Sequence, residues 1–266
     1  MIVNIEDDFD LEKIAGCGQC FRAKRIQGGF RFVSQKKVLT IINKDDGIYD
    51  IDADEKEWES FWKNYFDLSV NYRNIRESID QKDKFLFNAS KLGKGIRILR
   101  QDKFEMLISF IISQRKNIPA ISKSVEAICT KFGEKITHNG EVIYSFPSPK
   151  ALFEASDNDL RKCALGYRVP YVKDAAFRVY SNQLDLDAIG KLDDDSLKEK
   201  LKSVKGVGNK VADCICLFAY HRLAASPVDV WIKRAIDEHY GGVNPFDSYG
   251  KYAGVMQQYI FYAYKK

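Results

Sequence analysis

One short segment of the chain combines two glycines with a lysine at the start of a predicted helix. Residues 201–210 read Leu-Lys-Ser-Val-Lys-Gly-Val-Gly-Asn-Lys. This pattern predicts that one helix ends, the backbone turns tightly at Gly206 and Gly208, and a second helix begins. Backbone amides at such a turn, beside the positive end of a helix, suit a bound anion such as a phosphate. A Gly-x-Gly pair is also typical of a purely structural turn, so both interpretations stay open.

Lys210 falls on the first turn of the second predicted helix. The positive end of that helix, together with nearby basic residues, favours the uncharged form of its amine. An uncharged lysine amine is a nucleophile, and it forms a Schiff base with a carbon electrophile. A solvated lysine or a simple phosphate contact would explain the same position, so Lys210 is informative only together with its neighbours.

Asp229 follows Ser-Pro-Val and precedes the apolar helical pattern of residues 230–236. Its position is typical of an N-cap. A carboxylate there could also face a cleft, where it would stabilise developing positive charge or move a proton. The spacing from Lys210 leaves room for one helix and a return, so both side chains could face one cleft.

The composition is that of an ordinary globular protein. The chain has 266 residues, of which 45% are hydrophobic and 30% charged, enough for two domains. The apolar stretch at residues 106–112 is far below the ~20 residues that a membrane span needs. The N-terminus carries Glu6, Asp7 and Asp8 where a signal peptide would be basic and then apolar. We therefore predict a cytoplasmic protein with no membrane partner.

Charge and cysteine distribution narrow the possible partners. Residues 45–59 hold eight acidic residues and one lysine, whereas residues 82–116 hold nine basic residues against three acidic ones. Such asymmetry indicates either a polyanion bound on one side or a solvated basic face. The six cysteines include one C-x-x-C pair, Cys17 and Cys20, without a second ligand pair or a cluster of four. Free thiols are therefore expected, with neither a zinc site nor an iron–sulfur cluster.

Hydrophobic periodicity changes near residue 53. Residues 19–26, 30–34 and 37–42 predict strands of an antiparallel meander, and residues 58–66 show one apolar helical face. From about residue 100 we predict successive helices, at 104–114, 118–132, 149–155, after Pro170, 193–204, 229–241 and 249–264. The predicted class is α+β, with a small N-terminal antiparallel sheet domain over residues 1–90 and a larger all-helical region over residues 91–266.

The segment 201–236 resembles the helix–hairpin–helix DNA glycosylase superfamily, in which this hairpin is followed by a lysine and then by Pro-Val-Asp. Six motifs, in the order in which the family has them, resemble the 8-oxoguanine DNA glycosylase/lyases, one branch of this superfamily. The chain resembles a bacterial member of the eukaryotic type within that branch. These motifs are Gly18-Gln19-Cys20-Phe21-Arg22, residues 95–101, Leu165-Gly166-Tyr167-Arg168, residues 210–217, Pro227-Val228-Asp229 and Tyr252-Ala253-Gly254.

The resemblance implies a reaction. The damaged purine is flipped out of the duplex, Lys210 attacks the sugar C1′, and the resulting Schiff base permits β-elimination. By the same resemblance Asp229 stabilises the oxocarbenium charge. The implied partner is double-stranded DNA containing 8-oxoguanine, bound by a monomer that needs no cofactor. In a bacterium this enzyme would associate with the nucleoid.

The resemblance also implies residues that would recognise the base. The carbonyl of Gly18 would accept a hydrogen bond from N7–H, which 8-oxoguanine has and guanine lacks. Cys214 and Phe261 would sandwich the base, and Gln257 would read its Watson–Crick edge. Phe261 could instead be a core residue, and Gln258 the reader. Two further residues of the matched motifs, Phe21 and Pro227, would line the same site.

A further set of residues would contact DNA. Tyr167 would wedge into the vacated stack, and Arg168 would contact the opposite base. The amides of Gly206, Gly208 and Val211 would hold phosphate. Arg115, Asn117 and Trp231 complete the predicted DNA surface. The carbonyls of Lys202, Val204 and Val207 would hold a structural cation in the hairpin, as this motif often does.

Four residues depart from the family pattern. Lys205 stands where the family commonly has proline, and Trp231 where eukaryotic relatives have a phosphate-contacting histidine. Arg115 replaces an asparagine that fills the vacated helix, and Ala120 replaces a second arginine that reads the opposite cytosine. With Arg168 alone, we expect a preference for opposite cytosine below about a hundredfold, worth ~2.7 kcal/mol.

Three other functions share parts of this pattern. An iron–sulfur glycosylase has the hairpin but needs the missing cysteine cluster. An alkylpurine glycosylase, acting on another damaged base, has the aspartate but normally lacks the lysine. A non-catalytic helix–hairpin–helix protein would use the hairpin only to bind DNA.

Overall fold

The N-terminal part of the computed structural model, which describes residues 1–265, is a five-stranded antiparallel sheet. Its strands are β1 (Ile2–Asn4), β2 (Ala23–Ile26), β3 (Gly29–Ser34), β4 (Lys37–Asp45) and β5 (Ile48–Ile51), in the order β1-β5-β4-β3-β2, and helix α1 (Leu11–Gly16) lies between β1 and β2. The predicted meander is confirmed, although its first strand begins at Ala23 rather than Gln19. Strands β1 and β5 were not predicted because each has only three or four residues.

An aromatic helix covers this sheet. It runs as α2 (Glu55–Glu57), a π-helical turn (Trp58–Trp62) and α3 (Lys63–Tyr65). The predicted apolar face is buried, with the ring of Phe66 edge-on to that of Phe32 at a centroid separation of 5.2 Å. Large aromatic rings in such edge contacts contribute more than their buried area alone.

Helices make up most of the remaining chain. They are α4 (Tyr72–Glu77), α5 (Lys84–Leu92), α6 (Lys103–Ser113), α7 (Ile118–Phe132), α8 (Pro149–Glu154), α9 (Asp157–Lys162), α10 (Val169–Tyr180), α11 (Leu186–Ile189), α12 (Asp194–Lys202), α13 (Asn209–Phe218), α14 (Val230–His239) and α15 (Ala253–Lys265). Short 3₁₀ turns lie at Gly166–Arg168 and Phe246–Tyr252. The α+β class is therefore confirmed. Among the helices described, none is both long and apolar enough to cross a membrane.

Two predictions for the helical region need correction. The last α-helix begins at Ala253 rather than near residue 249, because Gly250 adopts φ 59° and ψ −140° and interrupts it. The region also contains an antiparallel hairpin, β6 (Lys135–His138) and β7 (Glu141–Tyr144). This hairpin packs on the N-terminal sheet through Ile143, which is buried with Val33 and Val38.

Buried polar groups join the sheet to the helices. The guanidinium of Arg97 is fully buried and donates to the Asp7 carboxylate at 2.8 Å and to the carbonyls of Phe66 and Asp67 at 3.0 and 2.6 Å. A buried charge is tolerated when its hydrogen-bonding groups are satisfied in this way. Helix α5 packs against α15, and the domain boundary at residue 90 stays a prediction.

Candidate active site

The predicted turn between two helices lies between the end of α12 and the start of α13. Gly206 adopts φ +83°, and a Cβ atom there would lie 2.4 Å from the ring of Tyr171, so this position requires glycine. Gly208 is the N-cap of α13 and has no side chain to occupy the first-turn amides. Those amides are therefore available for an anion, as the sequence predicted.

The hairpin is fixed by contacts on both sides. Val204 and Val207 are buried beneath it, and the amide of Lys205 donates to the Asp174 carboxylate at 3.0 Å. The predicted cation ligands are the carbonyls of Lys202, Val204 and Val207, and the Val204 carbonyl already accepts the Val207 amide at 3.0 Å. A carbonyl oxygen has a second lone pair, so these residues are compatible with a cation, which stays a prediction. Within residues 1–265, no cluster of three or more His, Cys, Asp or Glu side chains could hold a metal.

Lys210 lies on the first turn of α13 and is half-buried. Its Nζ stands 5.6 Å from the centroid of the Phe110 ring and forms a hydrogen bond with Cys214, one helical turn further on. Burial raises the pKa of the Cys214 thiol to about 11, although the nearby Lys210 amine opposes that shift. Cys214 is therefore a neutral, apolar wall at pH 7, beside an amine that can act as a nucleophile.

Asp229 is the N-cap of α14. Its Oδ1 accepts the amides of Trp231 and Ile232 at 3.0 and 2.9 Å, and Pro227 is buried just before it. Both bonds end on the same oxygen, so capping leaves the second oxygen available. The Asp229 carboxylate also raises the pKa of the Cys214 thiol, the group that the Lys210 amine contacts from the other direction along the chain.

Gly18 packs closely against the side chains of Ile118 and Phe261. It adopts φ +82°, and a Cβ atom there would lie 2.9 Å from Ile118 Cδ1 and 3.3 Å from Phe261 Cε1. The ring of Phe261 thus packs directly on the backbone of Gly18. Phe21, predicted as a site residue, is buried with its ring edge-on to Phe110 at 5.7 Å, and so supports the residue beneath Lys210.

Helix α15 carries the two glutamines that are candidates for reading the base. Gln257 and Gln258 are both buried, and Gln258 Nε2 donates to Gln257 Oε1 at 2.9 Å. Phe261 follows Gln257 at i+4, and it is half-buried rather than part of the closed core. The choice between Gln257 and Gln258 as reader stays open.

Lys265 is a residue at this site that was not predicted from the sequence. Its Nζ lies 5.7 Å from the centroid of the Phe261 ring. Burial lowers the pKa of Lys265, whereas interactions with Cys17 and Asp229 raise it. Its spacing could have indicated it from the sequence, since Lys265 follows Gln257 at i+8 on the same helical face.

The predicted DNA-contacting residues differ in exposure. Tyr167 is 50% exposed with its ring edge-on to Tyr171 at 6.2 Å, and Trp231 is 38% exposed with Arg234 over its ring. Arg115 is exposed at φ +53°, whereas the Asn117 side chain caps α7 by accepting the Ala120 amide at 2.9 Å. Val211, whose amide was predicted to hold phosphate, is buried in the first turn of α13.

Arg168 points inward. Its guanidinium is buried and donates through Nε to the Gln114 carbonyl at 3.0 Å, with Nη2 bound to the same oxygen. Lys116 joins the segment of Gln114 to the segment before Arg168, because its amine donates to the Ala164 carbonyl at 2.6 Å. Contact between Arg168 and an opposite base would require these bonds to break, and that role stays a prediction.

Comparison with known proteins gives two family matches that together cover nearly the whole chain. Residues 1–107 match the N-terminal domain of 8-oxoguanine DNA glycosylase, and residues 108–252 match the HhH-GPD superfamily of base excision DNA repair proteins. A probable N-glycosylase/DNA lyase of Methanothermobacter thermautotrophicus is 30% identical over 96% of this chain and 93% of the relative.

Two solved structures share the complete fold. The Clostridium acetobutylicum 8-oxoguanine glycosylase/lyase, in complex with double-stranded DNA containing cytosine opposite 8-oxoguanine, is 36% identical with a TM-score of 0.92, over 100% of this chain and 97% of that one. MBOgg1, bound to a low-affinity DNA ligand, is 35% identical with a TM-score of 0.94, over 99% and 94%. By these matches, the chain belongs to the 8-oxoguanine DNA glycosylase/lyase family of HhH-GPD base excision repair enzymes.

Proposed function

We propose that this protein removes 8-oxoguanine from duplex DNA and then nicks the strand at the same site. The observation that carries the proposal is the half-buried Lys210 amine hydrogen-bonded to Cys214, a thiol whose pKa the Asp229 carboxylate also affects. The contact between Gly18 and Phe261 supports it. This arrangement combines a nucleophile, a carboxylate and two walls that fit a flat base.

The reaction begins with the damaged nucleotide flipped into the cleft. The Lys210 amine attacks C1′, and the base leaves with the electrons of the glycosidic bond and takes up a proton. Asp229 stabilises the positive charge that develops on the sugar. The sugar ring then opens to an imine, a C2′ proton is lost, and the bond from C3′ to its phosphate breaks. Water finally hydrolyses the imine and frees Lys210.

Base recognition depends on one hydrogen bond. The Gly18 carbonyl accepts the N7–H of 8-oxoguanine, whereas guanine would present a lone pair to the same oxygen. Cys214 and Phe261 stack on the two faces of the base. Gln257 or its neighbour Gln258 reads the Watson–Crick edge.

Selection of the opposite base is weak in this proposal. Ala120 cannot donate a hydrogen bond to cytosine, and Arg168 must first leave the Gln114 carbonyl. Excision from duplexes with each of the four opposite bases measures this preference. A preference for cytosine above about a hundredfold would contradict it. The proposal also assigns a monomer acting on DNA in the cytoplasm or nucleoid.

Borohydride trapping tests the reaction. The wild-type protein should become covalently linked to 8-oxoguanine duplex when borohydride reduces the imine. Lys210→Gln should abolish the crosslink and keep lesion binding. Lys56→Gln, an exposed lysine of α2 in the acidic segment, is the matched control and should crosslink normally. Absence of a wild-type crosslink would instead indicate a DNA-binding protein without catalysis.

A further inference from the structure

The side chain of Gln19, the residue after Gly18, is fully buried. Its Nε2 donates to the Arg97 carbonyl at 2.7 Å, and its Oε1 accepts the Leu99 amide at 2.8 Å. One side-chain amide therefore satisfies the two backbone groups on either side of Ile98, as a neighbouring strand would. Both bonds are buried, so losing either would leave an unpaired polar group.

The side chain of Gln101 binds the backbone of Gln19. Its Nε2 donates to the Gln19 carbonyl at 2.9 Å, and its own amide donates to the Phe218 carbonyl at 3.3 Å. Phe218 ends α13, the helix that carries Lys210 and Cys214. A continuous set of hydrogen bonds thus joins the Gly18 loop to the helix of the nucleophile.

The carbonyl of Gly18 and the amide of Gln19 belong to one planar peptide unit. Its orientation is therefore set by two torsion angles, ψ of Gly18 and φ of Gln19, and a rotation of the unit changes both. Gly18 itself has wide conformational freedom at φ +82°, whereas Gln19 is held through both its side chain and its carbonyl. Gln19 is thus the fixed end of the peptide unit that carries the Gly18 oxygen.

We propose that Gln19 and Gln101 are positioning residues that aim the Gly18 carbonyl at the purine N7 and so determine selectivity for a base protonated there. This inference rests on the proposed function and adds the residues responsible for its selectivity. Hydrogen bonds weaken steeply as donor and acceptor lose alignment, so a small rotation of this peptide removes the discrimination. Cleavage at an abasic site needs Lys210 but no base, and it does not use the Gly18 carbonyl.

Two substitutions test the inference, Gln19→Met and Gln101→Met, with Gln183→Met on an exposed loop as matched control. For each we measure single-turnover excision of 8-oxoguanine and nicking of a preformed abasic site. Each site variant should lose roughly tenfold or more in excision and change by less than about twofold in abasic nicking. Retained nicking also shows that the variant is folded and that Lys210 works.

Two outcomes would overturn the inference. Equal losses of excision and nicking in both variants would mean that the glutamines only stabilise the fold. Unchanged excision in both would mean that the Gly18 carbonyl is aimed without them. Failure of the proposed function is a separate result, because it would appear as a wild-type protein that neither excises 8-oxoguanine nor crosslinks to abasic DNA.

Discussion

The starts of α13 and α14 use their free amides in opposite ways. At α13 the N-cap is Gly208, which offers no side chain to its first-turn amides. At α14 the N-cap is Asp229, whose carboxylate binds two of those amides. The amides of α13 remain available to a phosphate, and those of α14 hold in place the carboxylate that we propose to be catalytic.

The difference between the two helix starts lies in the N-cap side chain, which is present at α14 and absent at α13. A side-chain cap typically contributes about 1 kcal/mol to stability. Helix α13 lacks this stabilising cap. The neighbouring helix α12 has one, because the Asp193 carboxylate accepts the Ser196 amide at 2.9 Å. The missing cap at Gly208 fits the proposal that these amides bind a DNA phosphate.

The largest expected effect comes from separating the two roles of Asp229. Asp229→Asn should keep the cap, because asparagine caps helices as well as aspartate, and should change the unfolding free energy by less than about 0.5 kcal/mol. Excision should fall between a hundredfold and a thousandfold, about 3–4 kcal/mol, because the charge is lost. Single-turnover kinetics and thermal unfolding on the same preparation measure both.

Asp229→Ala is the matched variant, since it removes the cap together with the charge. It should match the asparagine variant in excision and lose a further ~1 kcal/mol of stability. If Asp229→Asn excised normally, Asp229 would be a cap alone and the two helix starts would not differ in function.

A third helix start, that of α6, sharpens the comparison. Glu105 occupies its first turn, and its amide is capped by Asp102 at 2.8 Å. Burial raises the pKa of Glu105 to about 7, although the Arg22 guanidinium, with Nη1 3.8 Å from Oε2, opposes that shift. Burial at this helix start therefore disfavours the carboxylate anion.

This carboxylate predicts a pH dependence of stability. Above its ordinary pKa of 4.5 the unfolded state has released the Glu105 proton, whereas the folded state keeps it up to about pH 7. Stability should therefore fall as pH rises from about 4.5 to 7, by up to about 3 kcal/mol, and level off above that. Denaturant unfolding of wild type and Glu105→Gln at several pH values measures the difference, which should be lost in the variant.

Parallel stability curves for the two proteins would contradict this prediction. They would mean that Glu105 titrates near its ordinary value, with Arg22 compensating fully for its burial.

The smallest expected effect comes from giving α13 the cap it lacks. Gly208→Asp should fit, because a Cβ atom there meets nothing within 4 Å and φ is −97°. The cap, the helix dipole and a stiffer unfolded chain should together add about 0.5–1 kcal/mol of stability. Affinity for DNA should fall about tenfold, because a carboxylate would replace the phosphate at these amides.

Gly208→Asn separates the cap from the charge and should weaken binding less. Titration of labelled duplex at fixed salt measures both variants. Unchanged affinity in Gly208→Asp would place the phosphate elsewhere and remove the reason for the open helix start.

Local signals predicted much of the fold. Asn117, Pro119 and Gly133 mark the ends of α7, and its predicted bounds match the structure. The β6–β7 hairpin was not predicted because its strands are short and gain their burial from Val33 and Val38 of a distant sheet. Tertiary contacts of that kind leave no periodicity in the sequence.

Motifs in the sequence predicted which residues form the candidate site. The contacts among these residues could be known only from the structure. Lys210 was recognisable because a hairpin precedes it, and Asp229 because it stands at a predicted helix N-cap. The roles of Gln19 and Gln101 were not, since a buried glutamine and an exposed one look alike in sequence. Nor could the inward orientation of Arg168 be predicted, because it depends on a backbone carbonyl, that of Gln114, in another loop.

Tyr171 has a consequence for how the protein would hold a bent strand. Its ring packs on Gly206 of the hairpin and lies edge-on to Tyr167. One aromatic ring therefore separates the proposed phosphate site from the side chain proposed to enter the base stack. If both roles hold, the separation of the two sites fixes how far along the strand the bound phosphate lies from the extruded base.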